Sequence, residues 1–472
     1  IIIDLNGNNI TSVLENTIIN KGNLKIVDSN TQKQGTITID LAGSNSYVSG
    51  IVNESTGKIE INNDISIVGK GVRSNTIKNE GEITATNTKL SNNGTYVSSS
   101  SSAMRLILND GVLNLNNTTV SNTAGSYANV IYNDTGTINI NNLIVQERYS
   151  IIETYEGEVN ITGEVTRKGI AQLVSLEQKS STSEGTKINI ENATITDENT
   201  ASTMISGENG EIKIKNSNIQ AKASIIGVNS SGKGTNVTIE NSNLTSSKYA
   251  VISQYKGNTE IKDSDIIYNG TSSYSAIRFE STGSLTITGE SNITSKGEKA
   301  IEENSKGTII VGEKIEEGKI EEPQKVPTIK GGKYGIYQNN TNGKLNFYDG
   351  TIIGSNSYQA IYGKVTDTET GYDVITKEDT QSKTLTCTLE KLPVAQIGEN
   401  KYYSLYDAVQ SIETEEETTI TLIRDFNITA TSQTTQINEG KNIIIDLNGN
   451  NITSVLENTI INKGNLKIVD SN

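Results

Sequence analysis

Asp263 and Asp265 stand two residues apart in Glu260-Ile-Lys-Asp-Ser-Asp265, and Arg278 follows in the same repeat. Clustered carboxylates beside an arginine could cleave an acidic sugar chain. The carboxylates would hold Ca²⁺ or move a proton, and the arginine would act as a base. Against this, Asp263 sits where other repeats place Asn, and Asp265 fits a solvated strand position. No adjacent repeat supplies a matching carboxylate. The expectation is therefore no catalytic residue, no cofactor and no metal site. The chain has no His, which removes His-dependent catalysis. No phosphate loop or zinc-ligand spacing is present. Tyr249 and Tyr274 are the candidates for contact with a glycan, because exposed aromatic rings stack on sugars. Both lead a recurring apolar stretch, so packing against the next rung is the plainer expectation. The single Cys387 excludes a disulfide within the chain. It alternates with Leu385 and Leu389, as a small buried residue would.

Positioning any of these side chains falls to a chain that is 33% hydrophobic over 472 residues. That is low for a globular protein. The apolar residues are mostly Ile, Val and Leu, with Asn, Thr, Ser and Gly between them, a balance that favours strands and turns. A narrow core needs few inward side chains, so this composition does not imply disorder. The net charge of −15 repels phosphate backbones and argues against nucleic acid as a partner. Apolar runs are only a few residues long, too short for a membrane span. The chain starts at Ile1 without an initiator Met or a signal peptide, so it is expected to be a window from something longer.

Two repeats are nested. Residues 1–30 and 443–472 are identical, an offset of 442 residues. This predicts a parent built from near-identical modules in tandem. The smaller repeat is degenerate. A Gly followed by alternating apolar residues recurs from Gly57 to Gly307 at gaps of 21 to 30 residues. Such periods mark a solenoid. Each Gly opens a strand such as Gly111-Val-Leu-Asn-Leu115, and period-two alternation turns one face inward. A polar corner follows, at Asn87, Asn117, Asn142, Asn192, Asn216, Asn241, Asp263 and Asp349. Asn and Asp tolerate left-handed backbone angles, and stacked coils are expected to place them in a ladder. A third short strand is led by Tyr or Ala, as at Tyr127-Ala128, Ala223-Ser-Ile-Ile226, Tyr249-Ala-Val-Ile252, Tyr274-Ser-Ala-Ile277, Ala300-Ile301, Tyr334-Gly-Ile-Tyr337 and Tyr358-Gln-Ala-Ile361. The predicted fold is all-β: a right-handed parallel β-helix with three short strands per coil. About 14 coils would rise roughly 65 to 70 Å.

The pattern breaks at residues 363–392, a junction segment that ends the body at 1–362. Residues 393–442 read as the cap and first strands of a next module, and 443–472 as the start of its body. Leu405, Ala408, Val409 and Ile412 make a helical stripe, predicting a helix over about 404–413. Ser404 and Asp407 form a capping pair at its start. An amphipathic helix there would cover the apolar cross-section and unpaired backbone of an open coil end. The module then starts near Val394, and the chain is a circular permutation of it.

Tyr403-Ser-Leu-Tyr-Asp-Ala-Val409, Ile420-Thr-Leu-Ile-Arg-Asp425 and Lys441-Asn-Ile-Ile-Ile-Asp-Leu-Asn-Gly449 carry a resemblance. They are similar to the start of pectate-lyase-like β-helix modules in large surface proteins of Gram-positive bacteria, especially gut Firmicutes. Gly22-Asn-Leu-Lys-Ile-Val-Asp28 and the Tyr-x-Ala-Ile stretches fit the same likeness. The resemblance implies a cell-surface adhesin or stalk outside the cell. With the tandem repeat, it points to a non-catalytic segment of an extracellular fibre whose partners are copies of the same module end to end. A glycan-binding adhesin is the alternative, and a polysaccharide lyase or hydrolase the weaker one.

Overall fold

The computed structural model describes all of the chain except residues 42–47, 72–73, 94–104, 123–129, 148–150, 169–171, 179–181, 183, 199–202, 315–324, 370 and 429–433. Tyr127-Ala128 lies outside the described residues.

One coil shows how the sequence makes the turn. In Val112–Asn122 the first stretch points Leu113 and Leu115 inward. Asn117 then takes φ 49°, in the left-handed region, and turns the chain through a corner. Val120 restores the inward face beyond it. Ile131–Asn133 forms the third side, and Gly136 opens the next coil. The Gly is needed for space. A Cβ at Gly136 would lie 2.3 Å from the Asn109 Nδ2 and 2.5 Å from the Gly111 carbonyl oxygen. Strands pair parallel with their equivalents one coil on, as in Leu113↔Ile138 and Val120↔Val145.

The molecule is a right-handed parallel β-solenoid of about 16 turns. Among the described residues, fourteen third-side strands stack in one sheet. The first and second sides share a larger sheet, fused wherever a strand runs through the corner unbroken, as in Thr137–Glu147 and Thr186–Asp197. Two further turns follow the helix at residues 418–472. Inward Ile, Leu and Val fill one continuous core from Leu5 to Cys387. Each fully buried aliphatic side chain contributes roughly 1.5–3 kcal/mol. A second, separate core runs from Val394 to Ile445.

Between the two cores the parallel stacking stops. Tyr372–Asp379 and Thr384–Lys391 form an antiparallel hairpin, and its second strand lies antiparallel on Thr351–Ser355. Cys387 is buried opposite Ile352, and burial pushes its thiol up. Beyond Pro393, the Ser404 hydroxyl accepts the Asp407 N–H at 2.9 Å and donates to the Asp407 carboxylate at 2.7 Å. The helix it starts is Leu405–Gln410, shorter than the apolar stripe suggests. The Ser411 N–H turns back to the Asp407 carbonyl at 3.0 Å and the Ile412 N–H to the Val409 carbonyl at 3.3 Å, which closes it. Leu405, Ala408, Val409 and Ile412 are buried in the second core with Ile420, Ile437 and Ile443.

Candidate functional site

The polar corner forms one open groove of about 1080 Å³, lined by Asn192, Asn216, Asn241, Asp263, Asp265 and Lys325 among others. Asn87, Asn117, Asn142, Asn192, Asn216, Asn241 and Asp263 all take positive φ between 47° and 63°. Their role is chiefly in the backbone. The Asn216 N–H donates to the Glu240 carbonyl and the Asn241 N–H to the Lys262 carbonyl, both at 3.1 Å. Asn142 Nδ2 donates to Asn117 Oδ1 at 2.8 Å on the exposed side. Asp349 departs from the column. Its neighbour Gly350 takes the positive φ, 114°, and the Asp349 carboxylate accepts the Gly350 N–H at 2.7 Å. Glycine reaches that angle without a Cβ clash, so the corner moves one residue along.

A serine ladder stands just inside this corner. The Ser217, Ser242 and Ser264 N–H groups donate to the hydroxyls of Ser242, Ser264 and Ser291 at 3.0–3.3 Å. Each of those three hydroxyls donates to a carbonyl of its own turn at 2.6–2.7 Å. The hydroxyls of Ser242, Ser264 and Ser291 each accept one hydrogen bond and donate another, so they can stay buried.

The carboxylates and the arginine that could have formed a catalytic group are held apart. Asp263 Oδ1 accepts the Glu290 N–H at 2.9 Å, and Asp265 Oδ1 accepts Asn292 Nδ2 at 2.8 Å. Arg278 belongs to the third-side sheet, where it pairs with Glu280 at 2.5 Å and lies over the Tyr255 ring. Among the described residues, no group of three or more His, Cys, Asp or Glu side chains gathers as a metal site. No helix among them is long and apolar enough to cross a membrane.

The tyrosines do collect on the third side. Tyr249 and Tyr274 meet edge to face with centroids 5.2 Å apart. A larger group lies further along. Tyr337 and Tyr362 stack at 4.5 Å and 10° between planes, and Tyr334 lies 5.0–5.8 Å from Tyr337, Tyr358 and Tyr362. Tyr358 and Tyr362 are each 43% exposed. Lys299 sits over Tyr337 and Lys333 over Tyr358. The sequence signal is Tyr at both ends of Tyr334-Gly-Ile-Tyr337, followed one coil on by Tyr358 and Tyr362.

Two polar features inside the core escaped the pattern reading. The first is an asparagine ladder on the third side, in which the Nδ2 of Asn20, Asn53, Asn79 and Asn109 donates to the Oδ1 of the next Asn at 2.7–2.8 Å. Asn133 ends it with a bond to Thr154 Oγ1 at 3.2 Å. Glu303 fills the same slot ten coils above Asn53 in the stack, and burial pushes its carboxyl up. The second is an ion pair, Arg167 with Asp197, whose side chains are fully buried.

No protein family, curated protein or solved structure matches the chain.

Proposed function

We propose that the chain is a repeating structural segment of a secreted extracellular fibre or cell-surface stalk, built like the β-helix modules of Gram-positive surface proteins and without catalytic activity. One observation carries this reading. The thirty residues at 1–30 and 443–472 are the same sequence and fold with the same register, Ile2↔Lys25 in one copy and Ile444↔Lys467 in the other. A coil kept unchanged across 442 residues is what an array of near-identical modules requires. The hairpin at 372–391 and the helix at 405–410 would then close the facing ends of successive modules. A denaturing gel of the native material tests it. A species far larger than this chain's 50.8 kDa is expected. A single band near that mass overturns the covalent array.

The exposed tyrosines favour a second reading, a glycan-binding adhesin. Four rings on one face, flanked by Lys299 and Lys333, present the apolar faces and polar rims that sugars use. It predicts hits on a glycan array that are lost when Tyr358 and Tyr362, or Tyr249 and Tyr274, are changed to Ala. An array without hits removes it.

A further inference from the structure

Glu303 stands in the inward column of the third side, between Phe279 of the coil below and Gln338 of the coil above. Its side chain is fully withdrawn from water. One oxygen is served. Oε1 accepts the Ser305 N–H at 2.7 Å, with the Ser305 hydroxyl at 3.3 Å. That hydroxyl also donates to the Ser281 carbonyl, so its one hydrogen is shared. Among the described residues, Oε2 has no hydrogen-bond partner, and neither has Gln338 Nε2. Gln338 Oε1 is taken by the Lys364 N–H at 3.1 Å. Gly343 packs so close to Oε2 that a Cβ there would lie 2.3 Å from it, but the Gly343 N–H is spent on the Asn340 carbonyl. The charged groups around Glu303 are directed elsewhere. On its own strand, Lys299 and Glu302 pair with each other at 2.6 Å. On the strand below, Arg278 pairs with Glu280 at 2.5 Å. On the strand above, Tyr334 and Tyr337 belong to the outer tyrosine group. Lys306, Lys344 and Lys364, beside the adjoining turns, are exposed.

We propose that Glu303 is a proton-operated lock on its coil: with its proton it lets the strands at 299–303 and 334–338 stay closed over the core, and on losing it that level of the solenoid loosens. An uncharged carboxyl with one bare oxygen costs far less to bury than a carboxylate in the same place. Burial raises the pKa of Glu303, and the Ser305 bonds only partly offset it. The sign follows by linkage. The opened chain gives up this proton near the ordinary glutamate value, and the closed coil only at a higher one. Closure is therefore strongest in acid and weakens as pH rises from the first value to the second. The effect is local, because each coil of a solenoid contacts only its neighbours. The lower part of the same column supplies the contrast. There Asn20, Asn53, Asn79 and Asn109 each pass an amide hydrogen to the next Asn oxygen, and none of them titrates.

Amide hydrogen exchange in the full chain tests this, with rates corrected for the intrinsic effect of pH. Protection at 299–303 and 334–338 is divided by protection at 51–53 and 77–79, in the asparagine ladder. The ratio should fall as pH rises above the ordinary glutamate range, by up to about tenfold for each pH unit by which the folded value is raised. Glu303→Gln keeps the shape and removes the proton, so its ratio should stay level. Should that variant not fold, Glu303→Leu, apolar like Phe279 below it, takes its place and is read the same way. A parent ratio that stays constant overturns the proposal whether or not either variant folds. So does a ratio that rises with pH, because the carboxylate then draws in the Gln338 amide as its donor. A variant whose ratio falls as steeply as the parent's overturns it too, since another group must then be titrating.

Discussion

Arg167→Met alone should destabilise the solenoid by roughly 3–5 kcal/mol, whereas Arg167→Met with Asp197→Leu should be neutral or stabilising by up to about 4 kcal/mol. The pair sits where the core is otherwise aliphatic. Arg167 stacks on Val145 of the preceding coil, and Asp197 lies under Ala221 of the next. Arg167 Nε donates to Asp197 Oδ1 at 2.8 Å, and Nη2 donates to Oδ2, so the contact is bidentate. Both side chains are fully withdrawn from water. Taking two charges out of water costs several kcal/mol each, and their attraction only offsets that cost when the geometry is good. Removing the guanidinium takes the bidentate counter-charge from the Asp197 carboxylate in a low-dielectric core. Removing both groups leaves a methionine and a leucine, which need no partner. Urea unfolding of the two variants checks this, read beside amide exchange in 158–167 and 186–197, since a solenoid need not unfold in one step. A single variant that loses less than about 1 kcal/mol would show that water reaches the pair.

The ordering of the two variants also explains what the sequence made legible. The first strand, the corner and the third strand follow from inward alternation and from residues that accept positive φ. That is why Asn87 to Asp263 fall at a common corner and Gly57 to Gly307 at a common opening. Alternation also places Arg167 inward, two residues after Val165, and Asp197 inward, two after Ile195. A reading that stops at the last apolar residue misses both. Polarity hid the asparagine ladder as well. Ile51-Val-Asn53, Ile77-Lys-Asn79, Ile107-Leu-Asn109 and Ile131-Tyr-Asn133 repeat as Ile-x-Asn just before each Gly. The Asn is the second inward residue of that strand, and only the coil spacing makes it satisfiable. Tyr249 and Tyr274 meet across 25 positions, as Tyr337 and Tyr362 do; what the repeat alone does not give is that Tyr334 and Tyr337 add two rings in one turn and so enlarge the group. Asp349 was placed by spacing alone, and spacing cannot see that Gly350 takes the strained angle.

Asparagine therefore stands in two columns with opposite sensitivity, and substitution separates them. Asn79→Ala is expected to cost about 2–4 kcal/mol. Asn79 accepts from Asn53 Nδ2 at 2.8 Å and donates to Asn109 Oδ1 at 2.7 Å and to the Val112 carbonyl at 3.0 Å. Its loss removes the side-chain donor to Asn109 Oδ1 and the acceptor for Asn53, and both neighbours remain fully buried. Asn79→Asp should behave differently with pH. As a carboxylate it still accepts from Asn53 but faces the Asn109 oxygen without a hydrogen, so burial and that oxygen raise its folded pKa above the unfolded one. The sign follows: the protonated form fits the ladder at low pH, and stability falls as pH rises through the raised value. Asn117→Asp lies in the exposed corner, where Asp263 is native and takes φ 48°. It should change stability by no more than about 0.5 kcal/mol, with little pH dependence. Urea midpoints for the three variants at acid and neutral pH decide the matter. The physical content of the ladder is that Asn79→Asp recovers stability on acidification and Asn79→Ala does not. Equal pH profiles for the two would mean the column is held by packing and not by its chain of amides.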